Sequence, residues 1–122
     1  MSERVCRVLA ADDDPTMGVM FGAALGAPGF SLRYVPDGMA ALAAYGVGGS
    51  FDIVVLDVEM PGMDGLRLAE TIRRCEPGLP IVLLTGREDA AFFDAVSTLG
   101  LHRLSKPVDW KTLAGRLRGW LV

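Results

Sequence analysis

Short apolar runs alternating five times with helix-length segments predict an α/β chain: a parallel sheet, doubly wound, with helices on both faces. Three observations carry that prediction. The runs are rich in Val, Leu and Ile and end in polar or turn-forming residues, as strands buried on both faces do. The segments between them are bounded by Pro, Gly and Asp, the residues that start and stop helices. Right-handed crossovers then leave few ways to order the strands.

The first strand is predicted over 5–11 and the first helix over 15–26, where Pro15 suits a first-turn position. Residues 30–35 form a second strand and 38–47 a short, alanine-rich helix. In the Asp37-Gly38 pair between them we read turn chemistry only. The third strand, 51–56, is the apolar run Phe51-Asp52-Ile53-Val54-Val55-Leu56, and Asp57 follows it. Asp64 is the expected N-cap of a helix over 64–75. The fourth strand, 79–84, lies between Pro77-Gly78 and Gly86, and the helix over 88–99 has acids in its first turn, which the macrodipole favours. A less apolar fifth strand, 101–105, precedes a last helix over 108–121 with Leu113, Leu117, Trp120 and Leu121 on one face. Met17, Met20 and Phe21, at helical spacing, are expected to pack into the core. The sheet order that makes strands 1 and 3 neighbours is 2-1-3-4-5, the flavodoxin-like three-layer (βα)5 sandwich. Ligands in such sheets sit at the carboxyl ends of the strands, at the switch point between 1 and 3.

The bulk properties agree with one globular domain. The chain has 122 residues, 51% of them hydrophobic and 22% charged, enough to bury a core without staples. A net charge of -3 gives no electrostatic reason to bind nucleic acid or an anionic membrane. The two cysteines, Cys6 and Cys75, lack Cys-x-x-Cys spacing and are expected to be reduced thiols in a cytoplasmic protein. Charge within the first residues argues against a signal peptide. Residues 15–32 hold no charge, but Pro28-Gly29 interrupts them, so a helix followed by a strand is expected rather than a membrane span.

Four strand ends carry polar groups of distinct chemistry: Asp12-Asp13-Asp14, Asp57, Thr85 and Ser105-Lys106-Pro107. Adjacent strands 1 and 3 would bring several carboxylates together, and like charges so close need a cation between them. Oxygen ligands at a solvent-facing edge suit Mg²⁺. Lys106 would supply a compact positive charge for a phosphoryl oxygen and Thr85 a hydroxyl. With ten arginines and only two lysines in the chain, a lysine at 106 departs from its own habit. The chemistry these parts suit is attack of a carboxylate on phosphorus, giving an aspartyl phosphate.

At these residues the chain resembles the receiver domain of two-component response regulators. Asp12-Asp13 resembles the family's acidic pair, with Asp14-Pro15 after it. Asp57 matches the phosphoacceptor, and Met60-Pro61-Gly62-Met63-Asp64-Gly65 is close to the loop consensus that follows. Thr85-Gly86 matches the switch hydroxyl and Lys106-Pro107 the lysine before a proline that is usually cis. The resemblance covers essentially the whole chain, so residues 1–122 are expected to be one receiver domain, either stand-alone or excised from a longer regulator. It implies Mg²⁺ held directly by Asp13, Asp57 and the Glu59 backbone carbonyl, with Asp12 acting through water. It also implies phosphoryl transfer to Asp57 from a sensor histidine kinase or histidine phosphotransfer protein, with no turnover on external substrates. The response is expected on the face of the fourth helix, fifth strand and last helix, where acids (Asp89, Asp94) and bases (Lys111, Arg116, Arg118) would suit a symmetric homodimer. The uncharged first helix would suit docking of the histidine donor.

Two departures carry expectations of their own. Arg103 stands three residues before the lysine, where the family usually has Tyr or Phe, so coupling is expected to rely on Thr85 and loop movement instead. Glu59 and Arg87, two residues past Asp57 and Thr85, are expected to pair across the site and hinder the attacking water. His102, the only histidine, is expected to be structural or incidental. The rivals are a haloacid-dehalogenase-like phosphatase with an aspartate nucleophile, disfavoured because Asp57-Val58-Glu59 breaks the Asp-x-Asp motif, and a non-phosphorylated pseudo-receiver acting as an interaction module.

Overall fold

The computed structural model describes residues 4–46 and 50–121; the expectations placed on residues 1–3, on Val47 at the end of the second helix and on Val122 lie outside them. The elements alternate as β1 (Cys6–Ala11), α1 (Pro15–Ala24), β2 (Phe30–Val35), α2 (Gly38–Gly46), β3 (Ile53–Asp57), α3 (Gly65–Cys75), β4 (Ile81–Thr85), α4 (Ala90–Thr98), β5 (His102–Ser105) and α5 (Leu113–Trp120). All strand pairs are parallel, in the order β2-β1-β3-β4-β5. The predicted sandwich and its strand order are therefore correct.

Side chains alternate across each strand, and the alternation splits the core in two. Leu9, Ala11, Val54, Leu56, Ile81 and Leu83 pack with Leu68, Ile72 and Phe92 of α3 and α4 and with Ala41 of α2. Cys6, Val8, Ala10, Val55, Val82 and Leu84 pack with Phe21 and Leu25 from α1 and with Leu113 and Leu117 of α5. Three helices thus cover one face and two the other. β3 and β4 are buried along their whole length, as central strands of a doubly covered sheet must be.

Phe21 is fully buried as expected, and Met17 packs against the same cluster. Cys6 is buried in β1, Cys75 is exposed, and both are free. The uncharged stretch from Pro15 divides into α1 and β2, and among the described residues no helix is long and apolar enough to cross a membrane.

Local chemistry moves the starts of two helices. The last helix starts at Leu113, not 108, because Asp109 closes a turn first: its carboxylate accepts from Lys111 N at 3.1 Å and its carbonyl from Thr112 N at 3.3 Å. Val108 and Trp110, which the predicted helix included, pack against the core from outside α5. α4 starts at Ala90 because Asp89 caps it, accepting from Phe92 N at 2.9 Å, so the acid works as a cap rather than as first-turn charge. Asp37 does more than turn the chain, since its carboxylate accepts from Ala40 N at 2.7 Å, in the manner of a cap for α2. Asp64 caps α3 as expected, and Asp14 caps α1.

Candidate functional site

The sheet register aligns the polar strand ends. Asp57 pairs with Leu84 and Thr85 with Ser105, so the carboxylate, the hydroxyl and the residue before Lys106 stand at one edge. The ladder continues past the strands: Asp12 N donates to Val35 O, Val58 N to Leu84 O and Lys106 N to Thr85 O. Those bonds pin the first loop residues that carry the site. Gly65 lets α3 come down directly on the end of β3. Its N–H donates to Val58 O at 2.8 Å, and a Cβ built there would collide with the Asp57 carbonyl oxygen. The Lys106-Pro107 peptide is cis.

Asp12, Asp13 and Asp57 each place a carboxylate oxygen within 4.8 Å of the others. Asp12 and Asp57 are buried and Asp13 is exposed. One cation answers them: Lys106 Nζ lies 3.0 Å from Asp57 Oδ1 and 3.3 Å from Asp12 Oδ2. The first contact is a hydrogen bond and the second an ion pair without hydrogen-bond geometry, leaving Asp12 Oδ2 buried with no hydrogen-bond partner. Its other oxygen accepts from Asp14 N at 3.0 Å.

Burial pushes the Asp57 carboxyl above the usual aspartate range. The Lys106 hydrogen bond pulls it back, the Asp12 charge raises it again, and the net shift is upward. Burial alone would lower Lys106, but its hydrogen bond to Asp57 and the charges of Asp12 and Asp57 hold its ammonium above the ordinary value. One lysine therefore does not neutralise the group. An orphaned buried carboxylate oxygen within a set of hard oxygen donors fits a divalent cation such as Mg²⁺.

The other expected residues fall nearby. Thr85 is buried at the end of β4, and its hydroxyl accepts from Arg87 N at 2.9 Å. Glu59 is exposed in the loop after β3, and its N–H donates to Asp57 Oδ1 at a long 3.4 Å. The expected Glu59–Arg87 pair is not formed. Arg87 instead grips Asp89 with two contacts, 3.0 and 3.2 Å, and lies over the Phe92 ring. A partner two residues away is reached at smaller entropic cost than one across the site.

Arg103 does not turn into the site either. It donates to Ser105 Oγ at 3.1 Å and lies over Phe93 of α4, 4.9 Å from the ring centre. Much of the complementary charge on this side is used within the chain. Asp89 holds Arg87, Arg116 covers Trp120, and Arg118 lies over Phe30 and donates to Gly29 O. His102 stacks on Trp120, with ring centres 4.6 Å apart.

One residue of the site escaped the sequence reading. Tyr34, next to last in β2, donates its hydroxyl to the carbonyl oxygens of Asp12 and of Asp14, the latter at 2.9 Å. Only the register of β2 against β1, Tyr34 beside Ala10, brings it to the acidic loop.

Comparison with known proteins settles the family. The response regulator receiver domain model matches residues 8–118. The chain belongs to that family. It is 36% identical over 115 residues to the transcriptional regulatory protein TcrA of Mycobacterium tuberculosis, covering 92% of this chain and 44% of that one. It is also 36% identical over 126 residues to the sensor histidine kinase GacS of Pseudomonas protegens, covering 98% of this chain and 14% of GacS. The chain thus spans less than half the length of either relative. Among solved structures, the chemotaxis protein CheY4 of Vibrio cholerae superposes with a TM-score of 0.85 at 29% identity, covering 97% of this receiver and all of CheY4. The sequence resemblance to receivers and the fold are thereby established.

Proposed function

We propose that this receiver accepts a phosphoryl group on Asp57 and relays its arrival to the α4–β5–α5 face. The observation that carries the reading is the buried Asp57 carboxylate hydrogen-bonded to Lys106 at 3.0 Å, with Asp12 and Asp13 beside it. Both hydrogen bonds found on Asp57 among the described residues fall on Oδ1, which leaves Oδ2 as the attacking oxygen. It forms a bond to phosphorus as the bond from phosphorus to the donor histidine nitrogen breaks; that nitrogen keeps the bonding pair, and the ring, already protonated on its other nitrogen, leaves as neutral imidazole.

Lys106 holds a phosphoryl oxygen, and Thr85, whose hydroxyl oxygen accepts from Arg87 N, donates its O–H to another. Asp13, Asp57 and the Glu59 carbonyl would ligate Mg²⁺, with Asp12 acting through water. When bound, the cation supplies charge neutralisation for the carboxylates and the phosphoryl oxygens. Later hydrolysis returns Asp57 to its carboxylate, so the chain transfers to itself and turns over nothing else.

The donor is a sensor histidine kinase or a histidine phosphotransfer protein. From Thr85, two local connections reach α4: Arg87 to Asp89 and Phe92, and the β5 neighbour Ser105 through Arg103 to Phe93. This readout uses no rotating aromatic at position 103. The parts TcrA and GacS carry beyond this domain suggest that α4–β5–α5 controls a covalently joined output or a partner, and the same face would form the homodimer. We place the protein in the cytoplasm, acting without direct contact with nucleic acid or membrane.

Acetyl phosphate with Mg²⁺ should add one phosphoryl group to the chain, read by intact mass, and none to Asp57→Asn. Turnover of p-nitrophenyl phosphate would instead support the phosphatase, and no modification with either reagent the pseudo-receiver.

A further inference from the structure

We infer that Tyr34 is a positioning residue for the acidic group: its hydroxyl bridges the Asp12 and Asp14 carbonyls and sets how tightly the site binds a divalent cation. The inference rests on the proposed cation site and adds a residue on another strand to it.

The loop from Asp12 to Asp14 carries the buried Asp12 and the exposed Asp13, and its acids repel one another and Asp57. Such a loop relaxes outward unless its backbone is held. Asp12 N bonds to Val35 O and Asp14 N to Asp12 Oδ1, and Asp14 is tied to α1 by Thr16 N on its carboxylate and Met17 N on its carbonyl; the Tyr34 hydroxyl adds a side chain from β2 that reaches the two carbonyls flanking Asp13. The hydroxyl carries one proton, shared between the two carbonyls in a three-centre bond, and ties the loop into a bracket around Asp13.

The sequence makes room for this arrangement. Gly18 lies over the Tyr34 ring, and a Cβ there would stand 2.7 Å from ring atom Cε2. Phe21 packs with the same ring, centres 6.4 Å apart. A glycine inside α1 costs helix stability relative to alanine, so the slot for the tyrosine is maintained against local propensity. Preorganised ligands need no rearrangement when the cation binds; a slack loop does.

The test is Mg²⁺ titration by calorimetry of the intact chain and two variants. Tyr34→Phe keeps the ring and removes only the hydroxyl, and should weaken Mg²⁺ binding about fivefold, the size of one net hydrogen bond. Gly18→Ala places a Cβ against the ring and displaces the hydroxyl, so it should weaken Mg²⁺ binding by a similar factor. In the double variant the Gly18→Ala effect on affinity should vanish, because both changes act through one hydroxyl. Mg²⁺ affinity within twofold of the parent in folded Tyr34→Phe overturns the inference. Failure of the parent itself to bind Mg²⁺ would overturn the cation site beneath it, a distinguishable result.

Discussion

The two ends of the sheet solve opposite electrostatic problems. At the carboxyl end, carboxylates crowd around one lysine, and a buried Asp12 oxygen lacks a hydrogen bond. At the amino end, one guanidinium satisfies a cluster of carbonyls: Arg73 donates to Leu99 O at 2.9 Å, Pro77 O at 2.9 Å, Gly100 O at 3.1 Å and Glu76 O at 3.3 Å, and reaches Leu79 O as well. Those carbonyls lie on the segments leading into β4 and β5. The amino end is saturated and holds the strands together, whereas the carboxyl end is left short of positive charge. A fold can carry such a deficit only where the rest is well satisfied.

Substitutions at the two ends should therefore have opposite signs. The largest effect is expected from Arg73→Ala, which strands several carbonyls at once and should lower unfolding free energy by about 3 kcal/mol. Chemical denaturation measures it, and Arg73→Lys should recover little, because a point charge cannot reproduce the planar fork. Equal stability in Arg73→Ala would break the contrast.

Asp57→Asn should raise stability, by on the order of 1 kcal/mol. The upward shift of Asp57 means that the folded protein holds its proton more tightly than the unfolded chain does. Stability is lost as pH rises from the unfolded value of 3.8 through the folded pKa, so the full penalty is present at neutral pH. Melting curves at pH 7 with and without Mg²⁺ check both halves: the variant should melt higher without the cation and gain less from it.

The smallest effect concerns His102, at the satisfied end. Burial, then the Arg73 charge, hold its imidazole below the usual 6.5. The unfolded chain takes up this proton first, so stability should fall as pH drops through 6.5 and level off below the folded pKa. The loss should stay under about 1 kcal/mol, and His102→Phe, which keeps a ring against Trp120, should flatten it.

Strand positions and the residues at the carboxyl edge could be read from sequence because each rests on local composition: an apolar run, then a polar residue at its end. The same locality explains the misses. Residues 108–112 were read into the last helix, but the apolar spacing of Leu113, Leu117 and Trp120 cannot reveal that Asp109 turns the chain before α5 begins. Arg87 was read against Glu59 because both flank the site, whereas Asp89 was closer along the chain. Tyr34 needed the β1–β2 register, and Arg73 needed two loops brought to one point by the strands they precede. Neither leaves a local trace.

Gly65 shows how such long-range constraints can reside in an atom that is missing. Any side chain at this position must push α3 off the Asp57 carbonyl or drag the end of β3 with it. The tolerance at position 65 is thus set by the Asp57 backbone rather than by the helix that contains it. A survey of all substitutions there would find even alanine, the best helix former, excluded. The helix begins where it does because the chain leaves that volume empty.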